Sequence, residues 1–152
     1  MTPPHPAPAS RVETPDASPG FLLWRATLAW QRRVRAALDP HGLTHVQFVL
    51  LTTSWWIEEH EGPPTQAVLA ERAGTDTMMT SQVARRLEAD GLLRREPDPG
   101  DARARRLHLT AAGRAKLAAA LPAVEAVDAE AFSAVPTADR PALLRALATL
   151  GG

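Results

Sequence analysis

The order of predicted elements within residues 65–110 constrains this chain more than any other feature. A short helix is predicted over 66–73, and after a tight turn a second helix follows and ends at Gly91. Two short strands, 92–96 and 105–109, come next and are joined by a turn rich in proline, glycine and aspartate. A helix, a turn, a helix and a basic hairpin in this order are the layout of a winged helix-turn-helix.

Basic residues are concentrated in the same part of the chain. Residues 65–116 contain ten basic and seven acidic groups, so this segment carries +3. The whole chain has seventeen of each, so the remainder carries −3. Phosphate binding depends on the local patch and not on the chain total, and arginine suits bidentate contacts to phosphate or guanine. The alternative is that the abundance of arginine reflects only the composition of the source genome.

Composition excludes several classes of protein. A chain of 152 residues, 45% of them hydrophobic, is long enough for one domain with a real core. It has no apolar run of about 18 residues and no signal-like start, so we expect no membrane span and no secretion. Cysteine is absent, which excludes disulfides and fits a cytoplasmic protein.

Helical patterns fill the rest of the chain, so the predicted fold class is mainly α with a small β-wing. Residues 1–20 hold six prolines and are predicted to form a disordered arm. Helices are predicted from Phe21 to about 38, and from a capping box at Thr44 onward. A long helix over 111–132 should kink or split at Pro122. A last helix should turn four leucines inward, namely Leu143, Leu144, Leu147 and Leu150.

The second helix of the helix-turn-helix is predicted to read DNA. With Met79, Val83 and Leu87 packed inward, five polar side chains face outward: Thr77, Ser81, Gln82, Arg85 and Arg86. Glutamine can read adenine and arginine can read guanine in the major groove. The alternative is that the two arginines only solvate an exposed helix face.

The wing supplies a second group of candidate DNA contacts. Strand alternation places Arg103 and Arg105 on one face and Arg106 on the other. We expect Arg103 to enter the minor groove or to clamp a phosphate. Asp98 or Asp101 should hold the wing arginines through a charged hydrogen bond. The alternative is a surface ion pair that contributes little.

These motifs together resemble the MarR family of bacterial transcription regulators. The resemblance covers about residues 21–150 and depends on four segments in the family's order: GLTHVQFVLL at 42–51, LEADGL at 87–92, DPGDAR at 98–103 and LHLTAAG at 107–113. One departure is Ala102, where the family often has a first wing arginine. This substitution leaves Arg103 as the main group at the wing tip.

The resemblance implies a two-fold symmetric dimer that represses transcription. Helices within 21–40 and 111–150 would form the dimer, and residues 44–110 would form the DNA-binding winged helix-turn-helix. The partners implied are a pseudo-palindromic double-stranded operator, a second copy of the chain and a small-molecule effector, often an aromatic acid. No cofactor is implied.

An effector pocket is hypothesised around Trp24, His45 and Trp55, because aromatic walls with a few polar groups are typical of ligand pockets. The alternative is that the tryptophans belong to the core or to the dimer interface. A metal-responsive regulator of the same fold is a further alternative. Its best cluster is His60 with three neighbouring glutamates, although the ligand spacing of a metal site is absent.

Two other functions remain alternatives to a DNA-binding regulator. An enzyme is not expected, because the chain has no phosphate-binding glycine loop, nucleophile elbow or metal-hydrolase motif. The second alternative function is a winged helix used only for protein contacts. Such a module would not need arginine on the wing or on the outward face of 77–86.

Overall fold

The computed structural model describes residues 9–152, which form six α-helices and one two-stranded sheet. In chain order the elements are α1 (Pro19–Leu38), α2 (His45–Glu61), α3 (Gln66–Ala73), α4 (Thr77–Ala89), β1 (Leu93–Pro97), β2 (Arg105–Leu109), α5 (Ala111–Ala131) and α6 (Arg140–Gly151). The mainly helical fold class with a small β-wing is therefore confirmed.

The first helix begins earlier than predicted. Its N-cap is Ser18, whose hydroxyl accepts the Phe21 N–H, and a proline occupies the first helical position. A short 3-10 turn over Pro15–Ala17 precedes it. Residues 15–17 and 19–20 are thus helical, which shortens the predicted arm, and the prediction for residues 1–8 lies outside the described residues.

Side-chain caps fix the start of four helices. At α2 the predicted capping box is present, since the Thr44 hydroxyl accepts the Gln47 N–H (3.3 Å) and the Gln47 amide oxygen accepts the Thr44 N–H (2.9 Å). Thr65, Asp76 and Thr110 cap α3, α4 and α5 with one bond each, in which the side-chain oxygen accepts the N–H three residues further on. Short-range sequence signals therefore determine where the helices of the winged helix-turn-helix begin.

A single apolar core joins the helix-turn-helix to the long helices. Its fully buried members come from α1, α2, α3, α4 and both strands, and include Val34, Leu38, Leu50, Leu51, Leu69, Ala84, Leu87 and Leu107. α5 packs along α1 and α2 and adds Leu117 and Ala120 to this core. The helix-turn-helix and its ribbon are thus built against the helices that flank them in sequence.

The two strands form an antiparallel ribbon, with Leu93 opposite Leu109 and Pro97 opposite Arg105. The segment before α3 also pairs with β2, through a bridge between Thr65 and Arg106 and a bond from the Leu107 N–H to the Pro64 carbonyl (2.9 Å). This pairing holds the ribbon beside the helix-turn-helix.

The inward face of α4 differs from the prediction. The buried positions are Thr80, Ala84 and Leu87, with Val83 half-buried, while Met79 is 43% exposed. The rotation arises because Thr80, although polar, satisfies its hydroxyl locally and can be buried. The predicted outward set still lies on the other side of the helix.

The C-terminal helices also correct the sequence analysis. α5 continues through Pro122, which is exposed, so the carbonyl that loses its helical partner can be solvated. α6 buries none of its leucines within the chain, and Leu144 and Leu150 are 68% and 72% exposed. No helix within residues 9–152 is long and apolar enough to cross a membrane.

Candidate nucleic-acid interface

The turn between α3 and α4 is held by buried hydroxyls. Gly74 ends α3 with a φ of +66°, a conformation that favours glycine. Thr80 is fully buried, and its Oγ1 donates to the Asp76 carbonyl oxygen (2.8 Å) and lies 2.7 Å from Oγ1 of Thr75. These bonds fix α4 relative to the turn and so set which residues it presents outward.

The predicted reading face of α4 is exposed as a group. Thr77, Gln82, Arg85 and Arg86 are exposed, and Ser81 is half-buried. Nη2 of Arg85 donates to Oγ of Ser81 (3.0 Å), which draws the guanidinium toward the N-terminal half of the helix. That half contacts base edges when such a helix enters the major groove.

Arg86 differs from Arg85 in its electrostatic environment. Its Nε lies 3.0 Å from Oδ2 of Asp90, one turn further along the helix. The alternative of a solvated ion pair therefore describes Arg86, whereas no carboxylate among the described residues forms a salt bridge with Arg85. Arg86 is the weaker of the two candidates for a DNA contact.

Asp98 organises the wing. Its Oδ1 accepts the N–H groups of Gly100 (2.7 Å) and Asp101 (3.0 Å), and its Oδ2 lies 2.6 Å from Nε of Arg106. The Gly100 N–H, followed by the neighbouring Arg106 charge, lowers the pKa of this carboxyl despite its partial burial. Nη1 of Arg106 also donates to the Pro63 carbonyl (2.9 Å), so one arginine connects the wing to the α2–α3 segment.

The predicted support of the wing by Asp98 and Asp101 takes two different forms. Asp98 binds a guanidinium, but that of Arg106 and not of Arg103 or Arg105. Asp101 accepts the backbone N–H of Arg103 (2.9 Å) and binds no guanidinium within the described part of the chain. The two aspartates thus shape the wing and leave both tip arginines unpaired.

The pattern of ion pairs separates structural arginines from available ones. Six of the ten basic groups in 65–116 have carboxylate partners: Arg72, Arg86, Arg94, Arg95, Arg106 and Arg114. Lys116 donates to the His41 carbonyl (3.0 Å). Across residues 9–152, no salt bridge involves the other three, which are Arg85, Arg103 and Arg105. All three belong to the predicted DNA-binding set.

A cleft of about 510 Å³ separates α4 from the wing. It is lined by Thr65, Gln66, Ala67, Ser81, Arg95, Asp98, Asp101, Arg103, Ala104 and Arg105. The structure thereby brings together Ser81 of the reading helix and both wing-tip arginines. Three arginines line the cleft against two aspartates, so its charge is net positive, and such a cleft suits a phosphate group of the DNA backbone.

Arg95 is a cleft residue that the sequence analysis missed. It lies on β1, its Nε is 3.1 Å from Oε2 of Glu88, and its buried Nη2 has no hydrogen-bond partner among residues 9–152. Strand alternation places it on the same side as Leu93, so the signal was present in the sequence.

Met78 is the second omission. It is 72% exposed and lies on the outward side of α4, near Gln82 and Arg85 by helical spacing. The sequence analysis missed it because it placed Met79 inward, which assigned the wrong phase to the helix.

A network of polar side chains attaches the ribbon to α2. Nε2 of His108 lies 3.0 Å from Glu96 and its Nδ1 lies 3.3 Å from Glu58. Glu58 also accepts the Leu109 N–H (3.2 Å) and pairs with Arg114 of α5 (3.2 Å). The wing, α2 and α5 therefore share one polar junction.

The three residues of the hypothesised effector pocket are not brought together within this chain. Trp24 is 62% exposed on the first half of α1, and Trp55 packs partly buried against the core. His45 alone lines a groove, and the tryptophan beside it is Trp30, with ring centroids 5.1 Å apart.

The groove at His45 has a volume of about 520 Å³ and connects α1, α2 and the helix-turn-helix. Its walls are Gln31, Arg35, Thr44, His45, Val46, Val49, Ala73, Thr75 and Met79. Burial, followed by the nearby Arg35 charge, lowers the pKa of His45, and Asp128 opposes this shift. Since Met79 belongs to the reading helix, a molecule in this groove would touch α4 directly.

The side chains around His60 have partners other than a metal. Nδ1 of His60 donates to the Trp56 carbonyl oxygen (2.7 Å), and its ring stacks on the Trp56 indole. Glu58 and Glu59 pair with Arg114, and Glu61 pairs with an arginine of α3. Among the described residues, no three histidine, aspartate or glutamate side chains are grouped as a metal site.

A reading helix with an exposed polar face, a basic ribbon beside it and a cationic cleft between them define a winged helix-turn-helix DNA-binding protein. The family model described as "MarR family" matches residues 43–104. Together with the relatives below, this match shows that the chain belongs to the MarR family. It is a DNA-binding transcription regulator and not an enzyme.

Similar proteins extend the match to most of the chain. The HTH-type transcriptional regulator YdcH of Bacillus subtilis is 47% identical over 125 residues, which cover 82% of this chain and 85% of the relative. The HTH-type transcriptional repressor NicR of Pseudomonas putida is 32% identical over 151 residues, which cover 89% of this chain and 90% of NicR.

Solved structures show the same fold in both DNA-bound and ligand-bound forms. CouR from Rhodococcus jostii, bound to p-coumaroyl-CoA, has a TM-score of 0.82 at 25% identity and covers 92% of this chain and 96% of its own. MOSR of M. tuberculosis in complex with DNA has a TM-score of 0.74 at 32% identity, and the match covers 88% of this chain and 93% of MOSR. BpsR of Bordetella bronchiseptica is a protein whose binding to DNA is regulated by 6-hydroxynicotinic acid. Its structure has a TM-score of 0.76 at 26% identity, and the match covers 88% of this chain and 98% of BpsR.

Proposed function

We propose that this protein is a dimeric repressor that reads a pseudo-palindromic operator and releases it when a small anionic molecule binds. One observation supports DNA reading above all others. The three arginines of the helix-turn-helix and wing that have no carboxylate partner are Arg85, Arg103 and Arg105, on the two elements that would face DNA. A module used only for protein contacts gives no reason to leave these three guanidinium groups free.

The dimer is supported by apolar surface that the single chain leaves uncovered. A groove of about 700 Å³ lies between α1 and the C-terminal helices and is lined by Leu22, Leu23, Trp30, Phe132, Leu143 and Leu147, among others. The first turns of α1 and the leucines of α6 are largely exposed. An apolar surface of this extent on a regulator of a dimeric fold is best explained by a second copy of the chain.

Sedimentation equilibrium tests the dimer. Leu147→Asp should convert dimers to monomers, because it places a charge in the uncovered apolar groove. Ala142→Asp, on another side of α6 by helical spacing, is the matched control and should stay dimeric. A monomeric wild-type protein at micromolar concentration would refute the proposed assembly.

Selection of duplexes from a random pool by the full-length protein tests the DNA function. We expect an inverted repeat whose half-sites are centred about 10 base pairs apart, since two symmetric reading helices enter successive turns of the groove. An insertion of about five base pairs between the half-sites should abolish tight binding, because it places them on opposite sides of the duplex. Enrichment of no sequence would contradict the function.

The effector site is assigned to the groove at His45. Arg35 supplies a cation for a carboxylate, while Val46, Val49 and Met79 supply an apolar wall for a ring. Binding there would shift DNA affinity only if the ligand prefers one position of α4 over another. Contact with Met79 provides that link, because Met79 is in the first turn of the reading helix.

Salicylate and 6-hydroxynicotinate are suitable probes of this groove. Either one should release a bound duplex with a coupling of about 1–3 kcal/mol, typical of allosteric systems. Arg35→Ala should remove the response while leaving DNA binding in place, and Arg32→Ala, an exposed neighbour on α1, should retain it. If release by these acids is identical in both variants, the effector site lies elsewhere.

The protein acts on chromosomal DNA in this proposal, so we expect it in the cytoplasm.

A further inference from the structure

An apolar side chain interrupts the polar reading face of α4. Met78 is 72% exposed, and its position in the helix sequence places it one turn from Gln82 and two turns from Arg85. The buried side of the same helix carries Thr80 and Ala84, both with no exposed surface. The methionine therefore points away from the core, in the direction of the predicted DNA contacts.

The location of Met78 limits what can cover it. It is the second residue of α4, and residues at the N-terminal end of a recognition helix contact base edges. Met78 does not line the groove at His45, whose contact with α4 is Met79, and it does not line the apolar groove beside α6. The surface that would cover it is thus the major groove and not the effector or the second subunit.

The major groove offers one apolar group, the C5-methyl of thymine. Methionine is unbranched and polarizable, so it can adapt to that methyl group without a fixed rotamer. A polar residue at this position would offer a hydrogen bond to a base instead, a role for which Gln82, one turn away, is the candidate.

We propose that Met78 contacts the C5-methyl of a thymine in each half-site and makes that position specific for thymine. This inference rests on the proposed DNA-reading function. Such a contact would distinguish thymine from uracil, which hydrogen bonding cannot do. The two bases present the same donor and acceptor pattern and differ only in the methyl group.

The experiment uses a duplex selected by the full-length protein, with thymine replaced by deoxyuridine at one symmetric position at a time. Wild type should lose about fourfold in affinity per half-site at one position, and about fifteenfold when both half-sites are changed, as expected for one buried methyl group. Met78→Ala should bind the thymine duplex more weakly and show no difference between thymine and uracil at that position. Met78→Leu keeps an apolar contact and should keep the difference.

Met79→Ala is the matched control, since it changes the adjacent methionine on a different side of α4. Whatever its affinity, it should keep the ratio between thymine and uracil duplexes. If wild type binds both kinds of duplex equally at every position, the methyl contact is refuted while DNA reading stands. If the ratio persists in Met78→Ala, another residue reads the methyl group and the assignment is wrong. If selection enriches no duplex, the DNA-reading function fails and this inference fails with it.

Discussion

Gly113→Ala tests how the wing lobe is joined to the long helix α5. Gly113 is the third residue of α5, and its N–H donates to the capping hydroxyl of Thr110 (2.9 Å). A Cβ built on it would lie 3.0 Å from the carbonyl carbon of Leu92 and closer still to its oxygen. That oxygen also accepts the Thr110 N–H (3.1 Å), so backbone and not a flexible side chain blocks the new methyl group.

The magnitude follows from three contributions. Overpacking a tight contact destabilises by about 1–3 kcal/mol, and loss of the bond from Thr110 to Leu92 adds about 1 kcal/mol. Alanine's helix preference over glycine offsets about 1 kcal/mol. We therefore expect Gly113→Ala to lower the free energy of unfolding by about 1–3 kcal/mol.

Urea denaturation of the dimer at fixed protein concentration measures this loss. Gly20→Ala is the matched control, because nothing lies within 4 Å of its added Cβ, and it should be neutral or slightly stabilising. Wild-type stability of Gly113→Ala would show that α5 does not pack on Leu92 as described. An equal loss in both variants would show that the effect is not specific to this contact.

Three further outcomes follow from the same coordinates. The pKa of Asp98 is lowered, so its stabilisation is complete above the ordinary aspartate value and is lost as pH falls through the lowered pKa. The difference in unfolding free energy between wild type and Asp98→Asn should vanish over that acid range in urea titrations. The pKa of His45 is also lowered, so protonation favours the unfolded state and stability should fall as pH drops below the ordinary histidine value; NMR should give a midpoint for the His45 ring below that value. Trp30→Phe removes the bond from the indole N–H to Asp128 (2.6 Å), and denaturation should show a loss of about 1.5–3 kcal/mol, the range for a bond to a charged group.

The winged helix-turn-helix could be predicted because its signals are local. Thr44, Thr65 and Thr110 are capping residues next to apolar periodic segments, and each caps the helix expected of it. The strand Arg105–Leu109 likewise has its predicted bounds, because apolar and polar side chains alternate along it. Such signals depend on a few neighbouring residues and not on the rest of the fold.

Features that depend on tertiary packing could not be predicted in the same way. Thr80 is polar, so a hydrophobic pattern places Met79 inward in its stead, although the Thr80 hydroxyl is satisfied by the backbone. The partner of Arg106 is Asp98, across a loop; strand alternation puts Arg105 and Arg106 on opposite faces but does not tell which of them pairs with Asp98. Long-range contacts therefore decide which arginines remain free for DNA.

The effector hypothesis shows the same limit. The ring that packs against His45 is the indole of Trp30, which the predicted pocket of Trp24, His45 and Trp55 did not include. The choice depends on how α1 crosses α2, which the periodicity of either helix alone does not reveal.

The salt dependence of DNA affinity tests the central claim most directly, namely that the arginines left unpaired by the fold contact DNA, with Arg103 of the wing at the phosphate backbone. A plot of log affinity against log salt concentration for a selected duplex should lose about 0.9 of slope per half-site in Arg103→Ala, as expected for one phosphate contact. Arg72→Ala, which removes an arginine paired with Glu61 (3.0 Å), should leave the slope unchanged. An unchanged slope in Arg103→Ala, or an equal change in both variants, would contradict the account.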